Sequence, residues 1–266
     1  MKILVVTPTL GASPWLAETM ASVSAFQGTC RHVLVAPPAK VAVLATQFPG
    51  VAIVPERGAG LYAAINAGLA AEQEWGAFTY INDDDLLLPG FAQVAAQADV
   101  AEARVVYGGV RLVGADGRRL GAIPISSRPG HHRALYAQRL EPVYQHGTLI
   151  TRAAWARHGG FAPNLRFCGD SELLARLCLR GVPFVCATRR EVAAFRLRAG
   201  QLTKNRGAMT AERAQVDADL GLLAPRRTFR HRWARLIFRL TNLPIYAERV
   251  ARHGFLTFDE LIARAG

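Results

Sequence analysis

The chain has 266 residues, enough for one large domain or a domain with an appendage, and enough to bury an ample core. Hydrophobic residues make up 51% and charged residues 20%, which excludes an intrinsically disordered chain. The net charge of +12 is uneven, since residues 226–252 hold eight Arg against one Glu; the basic character belongs to a tail and argues against a nucleic-acid-binding surface. From the N-terminus, short apolar runs alternate with helical stretches. Residues 3–6, 33–36, 51–54 and 78–81 read as strands buried on both faces. Between the first two, Ser13 is expected as N-cap, Pro14 at the first helical position and Gly28 at the helix end. Further helices are expected over 38–48 and 61–73. This alternation predicts a doubly wound, mostly parallel α/β sheet, in which ligands bind beyond the carboxyl ends of the strands. Thr7-Pro8-Thr9, Glu56-Arg57-Gly58 and Asp83-Asp84-Asp85 all fall at such ends, around one crevice.

The fourth run, 77–81, leads directly into the three carboxylates Asp83, Asp84 and Asp85. Adjacent like charges repel, and burying any of them unpaired is costly. A cation relieves that cost, and oxygen ligands suit Mg²⁺ or Mn²⁺, whose remaining positions go to water and substrate phosphates. The segment therefore reads as a strand that delivers a metal–diphosphate to the edge of the sheet. The alternative is a solvated acidic turn in which an Asp caps a helix starting near Pro89.

Beyond this point the character changes. Residues 105–113 and 119–123 flank Asp116-Gly117, a hairpin signal. Residues 124–145 look loop-rich with a short helix, and His131-His132 is expected in a solvated loop. A strand over 146–151 precedes a helix over 170–180, with Leu173, Leu174, Leu177 and Cys178 on one face. Two short strands, 184–186 and 192–195, close the sheet, and 198–207 reads as a mobile loop beside the site. In the tail, Pro225 opens and Pro244 closes a helix whose Phe229, Trp233, Leu236, Ile237 and Leu240 form one apolar face, with Arg232, Arg235 and Arg239 on the other side. That face either packs on the chain's own domain or lies on an anionic membrane. The N-terminal run is too short and too poor in charge for a signal peptide, and no 18-residue stretch is apolar enough to span a bilayer. The four scattered cysteines read as reduced thiols of a cytoplasmic protein.

Three segments, in order, carry a family resemblance. The first runs from Glu56-Arg57-Gly58-Ala59-Gly60-Leu61-Tyr62 to Asn66-Ala67-Gly68. The second is the strand, the acidic triplet and Pro89-Gly90. The third comprises His146-Gly147-Thr148, Gly159-Gly160-Phe161 and Phe167-Cys168-Gly169-Asp170-Ser171-Glu172-Leu173. Over residues 1–200 the chain resembles the family 2 glycosyltransferases of GT-A fold, of the bacterial cell-surface glycan type.

The resemblance implies inverting, metal-dependent transfer of a sugar from a nucleotide sugar, a UDP-sugar, to a glycan or lipid-linked acceptor. The metal is Mn²⁺ or Mg²⁺, and the tail offers peripheral contact with the inner face of the plasma membrane. The resemblance divides the chain into a nucleotide-sugar-binding half (1–110), a half for acceptor and base (111–207) and a basic helical extension (208–266). It makes Asp85 the metal ligand and Asp84 the ribose contact, with Asp83 either supporting them or solvated. Asp170 becomes the general base that takes the acceptor proton, the cation neutralising the departing diphosphate. Capping of the following helix is the alternative role for Asp170, and Glu172 the alternative base. Gly60, Tyr62 and Asn66 line the nucleotide sugar; His146 reaches the metal or donor or is structural; Arg166 and Arg206 are candidates for phosphate. The chain departs from the family at Ala36-Pro37-Pro38, Gly58 and Ala63, where carboxylates touching the nucleoside or sugar are expected. Base recognition is therefore expected from Thr7, Thr9, Glu56 or Arg57, and Pro8 is placed with them among the residues that bind the nucleotide sugar. A nucleotidyltransferase remains an alternative, although residues 7–12 carry no Lys or Arg for a phosphate loop, and so does a non-catalytic basic protein that binds nucleic acid or membrane.

Overall fold

A computed structural model describes residues 2–98, 101–198, 201, 206–222, 228–256 and 260. Its N-terminal half alternates β1 (Ile3–Pro8), α1 (Leu16–Ser24), β2 (Cys30–Ala36), α2 (Val41–Gln47), β3 (Ala52–Pro55), α3 (Leu61–Ala71) and β4 (Ala77–Tyr80). These strands are parallel neighbours in the order β3-β2-β1-β4. All six positions of β1 are buried, as an apolar run covered on both faces requires. Its alternation sends Leu4 and Val6 into one core with Tyr62, Ile65 and Phe78, and Ile3 and Val5 into another with Phe91 and Val94. The expected doubly wound α/β sheet is the one observed.

The C-terminal half adds β5 (Leu86–Leu87), α4 (Phe91–Ala96), β6 (Val105–Val113), β7 (Arg119–Ile123), α5 (His132–Tyr136), β8 (Leu149–Thr151), α6 (Arg152–His158), α7 (Gly169–Leu179) and β9 (Phe184–Arg196). Here the sheet becomes mixed. β8 lies antiparallel between β4 and β6, β9 runs parallel to β6, and β5 pairs antiparallel with β9. The predicted hairpin is present, β7 returning on β6 through Gly117 at φ 78°. Three helices follow: α8 (Arg206–Asp219), α9 (Phe229–Thr241) and α10 (Leu243–His253). Ala234 and Phe238 of α9 pack on Leu135 of α5. α10 meets β7, where Glu248 takes two hydrogen bonds from Arg119 (2.9 and 3.0 Å). Among the described residues no helix is long and apolar enough to cross a membrane.

Several local expectations are corrected. α1 starts at Leu16, because the Ser13 hydroxyl donates to the Asp83 carbonyl (2.8 Å) and accepts from the Trp15 N–H, tying the acidic turn instead of capping a helix from Pro14. α4 begins after Gly90, so no Asp of the triplet caps it. The two short strands expected over 184–195 are one 13-residue strand. Its polar middle looked like a turn, but Glu191 is paired with Arg111 and Arg119, and Arg189 donates to the Thr241 carbonyl (2.7 Å). β8 starts only at Leu149, since Gly147 turns the chain at φ 67°. His132 is not solvated; it is buried in α5 with Nε2 3.0 Å from the Tyr107 hydroxyl. Pro244 does not close the tail helix but sits in the first turn of α10, and the break falls at Asn242, whose buried amide bonds both backbone groups of Ile125 (3.3 and 2.9 Å). The apolar face expected over Phe229, Trp233, Leu236 and Leu240 is not the face that docks. Pro225, most of the loop 198–207 and the side chain of Arg206 lie outside the described residues.

Candidate functional site

A cleft of about 870 Å³ opens at the carboxyl ends of β1, β3 and β4. Pro8 and Thr9 follow β1, Glu56 and Gly58 follow β3, and Asn82, Asp83 and Asp84 follow β4. Gly60 and Tyr62 enter from the start of α3, where Gly60 takes φ 91°, a conformation glycine adopts at little cost. The opposite wall holds Gln145, His146, Arg166, Phe167, Asp170, Phe195 and Arg198.

The acidic triplet is braced from three sides. Thr9 donates to Asp83 Oδ2 (2.6 Å), and the Thr19 hydroxyl to the Asp85 carbonyl (2.8 Å). Asp84 is bonded by the Arg198 guanidinium. Asp85 is fully buried, its Oδ1 accepting the Arg196 backbone N–H (2.8 Å) and its Oδ2 the Asn82 amide (3.0 Å). Arg196, itself buried, donates Nε to the Asp84 carbonyl (2.8 Å) and Nη2 to Glu18 (2.6 Å). Trp15 faces both guanidiniums at 5.4 and 5.6 Å, within cation–π range. Two arginines thus offset charge that the sequence argument left to a metal alone. Burial still outweighs them at Asp84, whose carboxyl is pushed up to about 6, first by desolvation and then by the charge of Asp85. Asp83 is also raised, chiefly by burial.

Across the cleft, Asp170 lies in the first turn of α7, with Cys168 and not Asp170 at the N-cap. Its Oδ1 accepts from the Tyr62 hydroxyl (3.1 Å), and Tyr62 is stacked on Phe161 at 5.5 Å. Gly169 permits this contact, because a Cβ there would stand 2.6 Å from the Tyr62 ring. Burial, and then the charge of Glu141, raise the Asp170 carboxyl above the usual carboxylate range. A carboxylate shifted toward neutrality is a stronger base at working pH. Glu172 points elsewhere, bonded twice by Arg176 (2.6 and 3.1 Å).

His146 bears on whether these residues fit a cation. It is buried, neither ring nitrogen has a hydrogen-bond partner, and Nε2 is 3.4 Å from Asp85 Oδ2. Its ring lies against Phe195 at 4.5 Å. An orphaned imidazole facing a carboxylate oxygen is a donor pair that fits a divalent cation. Among the described residues no group of three or more His, Cys, Asp or Glu could hold a metal ion. Such a cation would therefore take its other ligands from water and from donor phosphates, as Mg²⁺ and Mn²⁺ do.

The cleft thus gathers Pro8, Thr9, Glu56, Gly60, Tyr62, Asp83, Asp84 and Asp170, with Asp85 directly behind it. Three expected residues fall outside. Thr7 is buried within β1, with its hydroxyl 2.9 Å from His32 Nε2 of the neighbouring β2. Asn66 donates to the Phe161 carbonyl (2.9 Å), joining α3 to the loop before α7, and Arg57 lies beside it in a separate shallow depression. The sequence reading missed Ser13, Trp15, Asn82, Gln145, Arg196 and Arg198. For the arginines a signal was present: Arg196 and Arg198 lie two apart at the end of an apolar β run, the spacing that turns both toward one face. It also missed Glu212 of α8, whose carboxylate accepts the backbone N–H groups of Arg166, Phe167 and Cys168 (2.7, 2.7 and 2.6 Å).

The same fold occurs in solved structures. The mannosyltransferase PcManGT from Pyrobaculum calidifontis, solved in complex with GDP-Man and Mn²⁺, matches with a TM-score of 0.57 at 17% identity, over 98% of this chain and 78% of that one. S. aureus TarS 1–349 matches with a TM-score of 0.55 at 14% identity, over 95% of this chain and 80% of that one. A longer S. aureus TarS chain matches with a TM-score of 0.57 at 13% identity, over 98% of this chain and 45% of that one. At these identities the shared property is the fold, and the GT-A architecture expected from the sequence is the one found. No family model matches the sequence, and no curated protein does.

Proposed function

We propose that the chain is an inverting, metal-dependent glycosyltransferase of the family 2 type. It transfers a hexose from a nucleotide sugar, a UDP-sugar, to a glycan or lipid-linked acceptor in cell-envelope polysaccharide synthesis, and works on the cytoplasmic side. The observation that carries this reading is one cleft holding a braced strand-end acidic cluster on one wall and a raised carboxylate, Asp170, on the other. PcManGT, which shares the fold, was solved with a nucleotide sugar and Mn²⁺. Residues 1–110 bind the donor, 111–207 supply the base and meet the acceptor, and 208–266 form the helical extension.

The roles follow from position. Thr9, Glu56 and Pro8 border the end of the cleft assigned to the nucleoside, replacing the absent carboxylates at Ala36, Gly58 and Ala63. Asp84 meets the ribose. Asp85 and His146 would hold the cation, a pair whose nitrogen favours Mn²⁺ over the oxygen-loving Mg²⁺. When bound, the cation supplies positive charge to the departing diphosphate. Arg198 adds a second positive charge on that wall. Tyr62 holds Asp170 by its Oδ1, on the wall of the cleft where the acceptor hydroxyl would reach the carboxylate. As that hydroxyl attacks the anomeric carbon, its proton passes to Asp170 and the nucleoside diphosphate leaves from the opposite face, which inverts the configuration.

Incubation with a panel of nucleotide sugars and Mn²⁺ tests the reading. Release of nucleoside diphosphate is the expected result. Pyrophosphate release would make the chain a nucleotidyltransferase, and no turnover with any donor, with or without acceptor extracts, would overturn the enzymatic reading.

A further inference from the structure

α9 has two apolar faces, and among the described residues only one is packed. At 3.6 residues per turn, Ala234 and Phe238 lie on one side, and these are the residues packed on Leu135. Phe229, Trp233, Leu236 and Leu240 lie on nearly the opposite side and are 78%, 48%, 46% and 49% exposed. Phe229 and Trp233 stack at 6.2 Å, forming one aromatic ledge on that ridge. α10 continues the pattern: Leu243 and Val250 fall on one side and are exposed, whereas Glu248 is turned inward to Arg119.

The charges beside the ridge identify what covers it. Arg232, Arg235 and Arg239 fall on one flank of α9 and Arg230 on the other, all exposed. Residues 228–256 contain six Arg and one carboxylate, Glu248, already held by β7. A second copy docking through the same face would set arginine rows against each other, which like-charge repulsion opposes. A bilayer carrying anionic lipid accepts both features together, apolar side chains at the acyl boundary and guanidiniums among the headgroups. Aromatic side chains with one polar edge, such as Trp233, favour that interface.

We propose that the outer face of α9 and α10 seats the protein on an anionic membrane surface, while the inner face keeps both helices docked on the catalytic domain. Attachment therefore needs no unfolding of the tail and does not depend on the transfer reaction. It would bring the cleft to acceptors held at a membrane.

Co-sedimentation of the full chain with phosphatidylcholine vesicles, with and without phosphatidylglycerol, tests this. Binding is expected only with phosphatidylglycerol and is expected to fall steeply at high salt. The double variant Trp233→Ser, Leu240→Ser should weaken binding at least about tenfold. Arg232→Glu with Arg235→Glu should weaken it by about fivefold or more per arginine. All four side chains are exposed, so melting temperatures should stay at the wild-type value, and Val43→Ser, an exposed apolar site on α2, should bind as wild type. Failure of the wild-type chain to sediment, equal binding by the double variants, or light scattering that shows a dimer abolished by the Trp233 variant would each overturn the proposal.

Discussion

Asp170 and Glu172 stand two residues apart in one helical turn, yet their surroundings differ. Asp170 keeps one oxygen on the Tyr62 hydroxyl and faces the cleft, whereas Glu172 spends both oxygens on Arg176. Asp170→Asn should therefore lower turnover by about 10²-fold or more while donor affinity, read by calorimetry with Mn²⁺, stays near wild type. Glu172→Gln should leave turnover within a few-fold and lower the melting temperature, because Arg176 also braces the Gly160 carbonyl (2.7 Å). The opposite split would move the base to Glu172. Asp85→Asn preserves the shape and the Arg196 N–H bond but removes the charge beside His146, so Mn²⁺-dependent donor binding should be lost while folding persists. Wild-type Mn²⁺ dependence in that variant would refute the metal assignment. The acidic triplet stood out in the sequence because a run of carboxylates after a strand is costly without a partner, whereas Asp170 came only from the family resemblance. The spacing of Arg196 and Arg198 hinted at a shared face, but their acidic partners were not legible, since these lie more than 100 positions away and only β9 brings them near.

Elements in this chain often borrow their ends from elsewhere. α7 begins without a side-chain cap of its own, and Glu212 of α8 instead accepts the N–H groups of the three residues that lead into it. Local cap rules miss such a partner because it is 44 to 46 positions away. Glu212→Gln keeps the volume and loses the charge, and should cost about 1–2 kcal/mol of stability. Turnover should also fall, because the turn carrying Asp170 is loosened; unchanged turnover with lowered stability would make Glu212 purely structural. The packing of α3 on the sheet is equally tight. A Cβ on Gly68 would lie 2.7 Å from Val6 and 2.8 Å from Val35, so Gly68→Ala should destabilise by about 1–3 kcal/mol in denaturant titration. Gly28, with nothing within 4 Å of its Cβ position, should accept Ala without that loss. Strand–helix alternation made the parallel half legible in advance. The single strand β9 escaped notice because its charged middle is satisfied by β6, β7 and the α9–α10 break, none of which is near in sequence.

The whole molecule is a parallel half joined to a mixed half through β4 and β8, and its stability should respond to acid through a buried histidine. His132, enclosed by Tyr107 and Phe184, has its imidazole held down to about 4 by desolvation. Between pH 6.5 and 4 the unfolded chain binds a proton that the folded chain does not, so this contribution is complete above pH 6.5 and is lost as pH falls toward 4. Its size is on the order of 3 kcal/mol. Melting temperatures followed across that range should fall in the wild type and fall less in His132→Gln; parallel curves would show that another group sets the acid limit. The order of the mixed half was not legible, because β4-β8-β6-β9-β5 joins strands in an order the sequence does not run. The bond between Asp85 and the Arg196 backbone N–H carries a consequence for synthesis on the ribosome. It joins positions 111 residues apart, so at roughly 5–20 residues per second the triplet is complete some 6–22 seconds before Arg196 is added. During that interval the β4 turn holds its carboxylates without Arg196, and the growing sheet lacks β9. The contacts that brace the acidic turn are thus completed only after the strand bearing Arg196 has been made and paired with β6.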